Sequence, residues 1–267
     1  LSTDTMVESV HWDHRLSAGD VGWKLMAINA SDLGAMGARP RWALLNLSLP
    51  SPLDRAWVLD FVEGLAAGSA HFGLPVIGGD TTQGPLNINI TVFGEVPPGQ
   101  ALLRQAAEPG DDIYISGQVG DARMALEVFR GQMSLSGEAF ARCRARMERP
   151  TPRVALGMAL RGIAHAAIDV SDGLLGDLGH ILARSGYGAQ VQTRWLEGSA
   201  ATSADLLDLS WNKRLDMALA GGDDYELLFT APRAMRERVH AAAHDCNVAV
   251  TCIGDITEQP GLRVLDP

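Results

Sequence analysis

The stretch Pro97-Pro98-Gly99-Gln100-Ala101-Leu102-Leu103-Arg104-Gln105-Ala106-Ala107-Glu108-Pro109-Gly110 divides the chain into two patterned halves. Proline and glycine punctuate both of its ends, and such residues interrupt helices and central strands alike. Upstream, the spacing predicts a helix over 20–37, a strand over 42–49 ended by Pro50, a helix over 54–72 running to Gly73, and strands over 74–77 and 87–96. The last of these carries Ile88, Ile90 and Val92 at alternate positions, the signature of a half-buried strand. Downstream, the pattern predicts a strand over 112–116, helices over 121–130, 138–147 and 153–163, a strand over 165–170, a helix over 174–185 and a strand over 188–192. Strand, helix and strand follow over 225–230, 233–244 and 248–253, while 195–217 is the least legible region, with a weak helical run near 203–209. Such alternation on both sides of a breaker-rich boundary implies a two-domain α/β (α+β) protein. The expected units are 1–108, an amino-terminal sheet-and-helix domain, and 109–267, a carboxy-terminal α/β domain.

Composition narrows the function. The 267 residues are 46% hydrophobic and 20% charged, an ordinary globular balance. Acidic side chains outnumber basic ones, 32 to 22, for a formal charge of −10. Sequence-independent nucleic-acid affinity comes from lysine and arginine neutralising phosphates, so no nucleic-acid partner is expected. No apolar run approaches the roughly 18 residues of a membrane helix, and the opening residues lack a basic-then-apolar signal. A cytoplasmic protein without a membrane partner is the expectation. Cys143, Cys246 and Cys252 form no C-x-x-C pair, which indicates neither a disulfide framework nor a thiolate zinc site. His240 and His244 stand one turn apart near Cys246, but without H-E-x-x-H chemistry they read as part of an amphipathic helix. The chain opens at Leu1-Ser2-Thr3-Asp4, inside what reads as a functional loop, and further residues are expected ahead of it.

The 29 glycines gather in loops that also carry aspartate. Gly78-Gly79-Asp80-Thr81-Thr82-Gln83-Gly84-Pro85 follows a predicted strand, Asp169-Val170-Ser171-Asp172-Gly173 joins a strand to a helix, and Gly222-Asp223-Asp224-Tyr225-Glu226 packs three acids together. Each reads either as a turn or cap, or as a loop where glycine lets backbone approach a phosphate and Asp, Ser and Thr offer hard oxygen ligands to Mg²⁺. Ser2-Thr3-Asp4 offers the same choice. Asp32 falls on the helical stripe of Val21, Leu25 and Ile28 at about 100° per residue, so it either caps a new turn or points a carboxylate inward. An inward carboxylate needs a partner or a metal. His11 follows the first strand, where it either meets an anion or is half buried. No nucleophile elbow and no Walker loop occurs.

In order along the chain, S-T-D-T-M-V-E-S-V-H-W (2–12), A-I-N-A-S-D-L-G-A-M-G-A (27–38), G-G-D-T-T-Q-G-P (78–85), L-L-R (102–104), P-G-D-D-I-Y-I-S-G (109–117), I-D-V-S-D-G-L (168–174) and G-G-D-D-Y-E-L-L-F (221–229) resemble the thiamine-monophosphate kinases. These belong to a superfamily, typified by aminoimidazole ribonucleotide synthetase, whose members share a two-domain ATP-binding architecture. The resemblance implies ATP-dependent phosphorylation of thiamine phosphate to thiamine diphosphate, by direct transfer with no catalytic side-chain nucleophile. It implies that Ser2, Thr3, Asp4, Asp32, Asp80, Asp169 and Asp172 hold several Mg²⁺ ions, that Gly79, Asp80, Arg104 and Ser171 lie along ATP, and that His11 and Asp223 face thiamine phosphate. It further implies a homodimer paired through the amino-terminal sheets. Two departures stand out: the family's upstream G-D-D segment and its C-terminal Gly/aromatic segment are not among these residues, and Asp223 stands where the family often has the longer Glu. A sister synthetase that activates an amide or carboxylate oxygen, and a non-catalytic nucleotide-binding paralogue, are the alternatives.

Overall fold

A computed structural model describes residues 1–52 and 54–266. In the amino-terminal half, strands β1 (Ser2–Val7), β2 (Arg39–Leu49), β3 (Val76–Gln83) and β4 (Asn87–Glu95) surround helices α1 (Ala18–Ala35) and α2 (Arg55–Phe72). The carboxy-terminal half contains β5 (Asp111–Ser116), α3 (Asp121–Phe129), α4 (Gly137–Glu148), α5 (Val154–Ala159), β6 (Ala166–Asp169), α6 (Leu174–Ser185) and β7 (Gly188–Gln192). It ends with α7 (Ala204–Leu207), α8 (Trp211–Ala220), β8 (Leu227–Pro232), α9 (Arg236–Asp245), β9 (Val250–Thr257) and β10 (Gly261–Leu265). The first sheet runs β1-β4-β2-β3 and the second β10-β7-β9-β5-β8-β6.

Alternation gives the first sheet two unlike faces. Met6, Ile88, Ile90 and Val92 are buried on the face that α1 covers with Val21, Leu25 and Ile28. On the opposite face, Asn89 Nδ2 donates to Thr5 Oγ1 at 2.8 Å, and Asn46 Nδ2 donates to Asn89 Oδ1 at 3.3 Å. The second sheet is covered on both sides: Ile113 and Ile115 of β5 join a core with α3, α4 and α6, while Tyr114 joins Phe229 and Val239 on the other face. That explains why β5 is continuously buried rather than alternating.

Helix α1 lies between the two sheets, in contact with α2, β1 and β4 on one side and with α5 and β6 on the other. Its start is capped by Ser17, whose Oγ accepts the Asp20 N–H at 3.0 Å and donates to Asp20 Oδ2 at 2.7 Å. Two helix neighbours approach it backbone to backbone. A methyl on Gly64 of α2 would collide with the Gly19 carbonyl, and one on Gly157 of α5 would collide with the Gly34 carbonyl.

Three expectations change. The Gly78–Gln83 segment is not a loop but most of β3, because its residues pair in parallel with Leu44–Leu49 of β2. Gly79 takes φ +147 there, and a Cβ would collide with the Leu45 carbonyl, so the sheet itself demands glycine at that position. The weakly patterned 195–217 region contains α7 and most of α8, whose apolar residues Leu206, Met217 and Ala218 are spread over two short helices. The terminal strand β10 went unpredicted because it pairs in parallel with β7 at the sheet edge and alternates only weakly.

Gly64→Ala is expected to destabilise the protein by about 1–3 kcal/mol in urea unfolding, the range for overpacking a close contact. Gly176→Ala, on α6 with nothing within 4 Å of the added methyl, should be neutral or stabilising by up to about 1 kcal/mol.

Candidate functional site

One face of α1 assembles the site. Lys24, Ile28 and Asp32 are four residues apart, so each step advances only about 40° around the helix. Ser31 lies on the same flank. Opposite this face stand Asp4 of β1, which pairs in register with Ile90 and shares its side of the sheet, and Asp169 at the end of β6. Ser2 Oγ donates to Asp32, and Ser31 Oγ donates to Asp169 Oδ2 at 2.6 Å. The Asp4 carboxylate accepts the Thr5 N–H at 2.8 Å.

Electrostatics mark these aspartates. Burial raises the pKa of Asp32, with the negative charge of Asp4 adding to it and Ser2 and Arg104 opposing. Asp4 is raised chiefly by burial, with Asp172 adding repulsion. Asp169 is pushed up to about 7, first by burial and then by the charge of Asp32. Among the described residues, the side-chain donors reaching Asp32 and Asp169 are serine hydroxyls rather than cations. A group of carboxylates with no cationic hydrogen-bond partner fits a divalent cation. No three His, Cys, Asp or Glu side chains among the described residues stand close enough to hold one by themselves. Phosphate, water and hydroxyl oxygens would complete the coordination, as Mg²⁺ commonly requires.

Two loops deliver the carboxy-terminal contribution. Asp177 of α6 accepts the Ser171, Asp172 and Gly173 N–H groups on a single oxygen at 3.0, 3.1 and 3.2 Å, which fixes the turn after β6. The Asp223 N–H donates to the Ser171 carbonyl at 2.9 Å and the Tyr225 N–H to that of Val170 at 2.9 Å, so the Gly222–Glu226 segment is zipped alongside. Its three acids have different tasks. Glu226 is fully buried and accepts from Arg153 Nε and Nη2, both at 2.6 Å, from Arg146 Nη2 at 2.9 Å and from Ser116 Oγ at 2.6 Å. Asp224 accepts the Gly120 N–H at 3.0 Å. Only Asp223 turns toward α1, where Lys24 Nζ donates to its Oδ2 at 2.5 Å. Asp223 and Tyr225 hold left-handed backbone at φ 70 and φ 51, strain of the kind that functional loops retain.

The carboxylates stand between two cavities. One of about 340 Å³ is lined by Asp4, His11, Trp12, Lys24, Asp223 and Tyr225. The other, about 500 Å³, is lined by Ser2, Asp32, Met36, Arg104 and Arg184, among others. Ser171, Asp172 and Asp223 line a shallower hollow. The structure thus brings together Ser2, Asp4, Asp32, Asp169, Asp172, Asp223 and His11, with Arg104 and Ser171 at the margins. Thr3 and Asp80 are not brought to the same place. Thr3 Oγ1 contacts the Ile90 carbonyl and Thr91 on the polar face of the sheet. Asp80 pairs in register with Asn46 on the exposed edge strand β3, next to Gly79. The sequence reading missed Lys24 and Ser31. Extending the Asp32 stripe back two turns would have found Lys24.

The description AIR synthase related protein, N-terminal domain, matches residues 1–96, and its C-terminal counterpart matches 108–266. The thiamine-monophosphate kinase of Salmonella typhimurium is 42% identical over 258 residues, covering 96% of this chain and 78% of that protein. The crystal structure of thiamine-monophosphate kinase from Stenotrophomonas maltophilia superimposes with a TM-score of 0.91 at 44% identity, covering 98% of this chain and 84% of that one. AaThiL complexed with AMPPCP and TMP superimposes with a TM-score of 0.85 at 29% identity, covering 98% and 82%.

In protein stripped of divalent cations, Asp169 keeps its proton to about 7 in the fold, against an ordinary value of 3.8. Between those values the folded state binds more protons than the unfolded one, so this group's contribution to stability falls as pH rises and reaches its minimum above about 7. Asp169→Asn removes the effect. Its thermal midpoint relative to the parent protein should therefore be higher near pH 8 than near pH 5, measured by calorimetry in chelator.

Proposed function

The chain belongs to the thiamine-monophosphate kinase family, and from that premise we propose how its carboxylate-lined seam transfers the γ-phosphoryl group of ATP to thiamine phosphate, giving thiamine diphosphate and ADP. The observation that carries the reading is a pair of cavities, one lined by Asp4 and the other by Asp32, whose carboxylates are near enough to repel each other; this reading gives one cavity to each reactant. The attacking atom is a phosphate oxygen of thiamine phosphate, already ionised near neutrality because a phosphomonoester's second pKa is about 6. No strong base is required. A bond forms between that oxygen and the γ-phosphorus as the bond to the β,γ-bridging oxygen breaks, and ADP leaves with the electron pair. What remains for the protein is alignment and charge control.

Asp4, Asp32, Asp169 and Asp172, with Ser2, are the ligands this reading gives to Mg²⁺, and their hard oxygens and unpaired charge suit it. Bound Mg²⁺ supplies neutralisation and alignment of the phosphates. Arg104, which lines the larger cavity with Asp32, and Ser171, which lines the shallower hollow with Asp172, are the residues this reading gives to ATP, Arg104 to its phosphates. His11 and Asp223 belong to the thiamine phosphate cavity. In Asp223 the shorter side chain is met by Lys24, which spans the gap to α1.

Thr3, Gly79 and Asp80 take their metal and nucleotide roles at the joint of a homodimer in this reading. The support is the fully exposed strand β3, open along one edge and carrying the exposed Val76 and Ile77; an unprotected edge of this kind is a template for pairing. No helix among the described residues is long and apolar enough to cross a membrane, and we place the enzyme in the cytoplasm, where ATP is supplied.

The complete protein with ATP and Mg²⁺ should form thiamine diphosphate from thiamine phosphate and not from thiamine, followed by chromatography of the products. Asp32→Asn should lower the rate by about 10²-fold or more with the fold retained, the scale for losing a group that stabilises transition-state charge. No product, with ATP still bound, would favour a sister synthetase or an inert paralogue. Full activity in the variant would remove the metal assignment.

A further inference from the structure

We infer that Lys24 is the cation that receives the phosphate of the acceptor, resting on Asp223 until the substrate displaces it; the inference rests on the kinase reading above. Lys24 lies two turns before Asp32 on the same face of α1, a rise of about 12 Å along the helix. It therefore faces the acceptor cavity while Asp32 faces the other. Its side chain is 6% exposed, and Asp223, at 2.5 Å, is its ion-pair partner; the carboxylate itself is 36% exposed. The two partners are thus unequal. Asp223 can yield the contact and remain hydrated, whereas a buried ammonium must always have an anion. A phosphate entering the cavity supplies one.

The kind of cation is informative. Of the 22 basic residues, only Lys24 and Lys213 are lysines, and every other is arginine. At this buried place the chain uses the compact ammonium. A guanidinium forks onto two phosphate oxygens and occupies both, while an ammonium is a point charge that leaves a second oxygen free to attack. His11 supports the same placement. Its Nδ1 accepts the Val7 N–H at 3.0 Å, so the neutral ring carries its proton on Nε2, a donor at the wall of this cavity.

Calorimetric titration of the complete protein with thiamine phosphate and with thiamine tests the inference. The parent protein should prefer the phosphorylated ligand, and Lys24→Met should lose that preference by about 10- to 100-fold. Affinity for thiamine and for ATP should hold, KM for thiamine phosphate should rise, and Lys24→Arg should recover part of the preference. An unchanged preference in Lys24→Met, or equal loss of both ligands, would overturn the inference. A second measurement follows the side chain itself: in protein labelled with ¹³Cε-lysine, the signal assigned to Lys24 by its absence from Lys24→Met should move with thiamine phosphate and not with thiamine. A signal that stays in place overturns the inference as well. A parent protein that binds no thiamine phosphate would instead sink the kinase reading, and this inference with it.

Discussion

Like charges gathered under partial burial repel one another, and Asp4, Asp32 and Asp169 are gathered in this way around one face of α1. Burial and mutual repulsion both push their pKa values upward. The hydrogen bonds from Ser2, Ser31 and the Thr5 N–H offset this only in part, so the surrounding structure must hold the cluster in place. Helix α1 is embedded between two sheets and fastened through glycine contacts at Gly19 and Gly34. Away from the carboxylates, Glu226 with Arg146 and Arg153 forms a buried, well-bonded anchor for the Asp223 loop. Breaking such a buried pair leaves an uncompensated charge, which makes the anchor a firm support for a strained neighbour.

This division of labour explains the mixture of residues in the glycine- and aspartate-rich loops of the sequence without appeal to any single motif. Asp177 organises the turn that presents Ser171 and Asp172, and Asp224 ties the following loop to Gly120. Asp177, Asp224 and Glu226 are thus engaged in holding the loops, which leaves Asp172 and Asp223 as the acids the proposed function uses. Phosphoryl transfer asks little covalent chemistry of a protein, and an acceptor that is already an anion asks less. In the proposed mechanism, carboxylates between two cavities would hold the cations that meet this demand, with Lys24 and Arg104 lining the cavities on either side.

Much of the fold was legible because its signals are local. The alternation of Ile88, Ile90 and Val92 marked β4, and the stripe of Val21, Leu25, Ile28 and Asp32 marked the inner face of α1. Asp32 was ambiguous in sequence because capping and inward projection use the same residue; only the opposing Ser2 and Asp169 distinguish them. The Gly78–Gln83 segment was misread as a loop because its glycines are required by β2 at Leu45, a long-range contact that spacing cannot reveal. Thr3 and Asp80 shared a motif style with Asp4, yet strand alternation and sheet position send them elsewhere. Lys24 went unnoticed because its meaning depends on Asp223, which lies far along the chain.

In the proposed mechanism the two phosphates meet directly, with no phosphorylated side chain between them. The stereochemical course at the γ-phosphorus decides the matter, using ATP made chiral there with sulfur and oxygen isotopes and thiamine phosphate as acceptor. A single in-line displacement predicts inversion of configuration in the thiamine diphosphate formed. Retention would require two displacements, and with them a phosphorylated side chain between the two reactants.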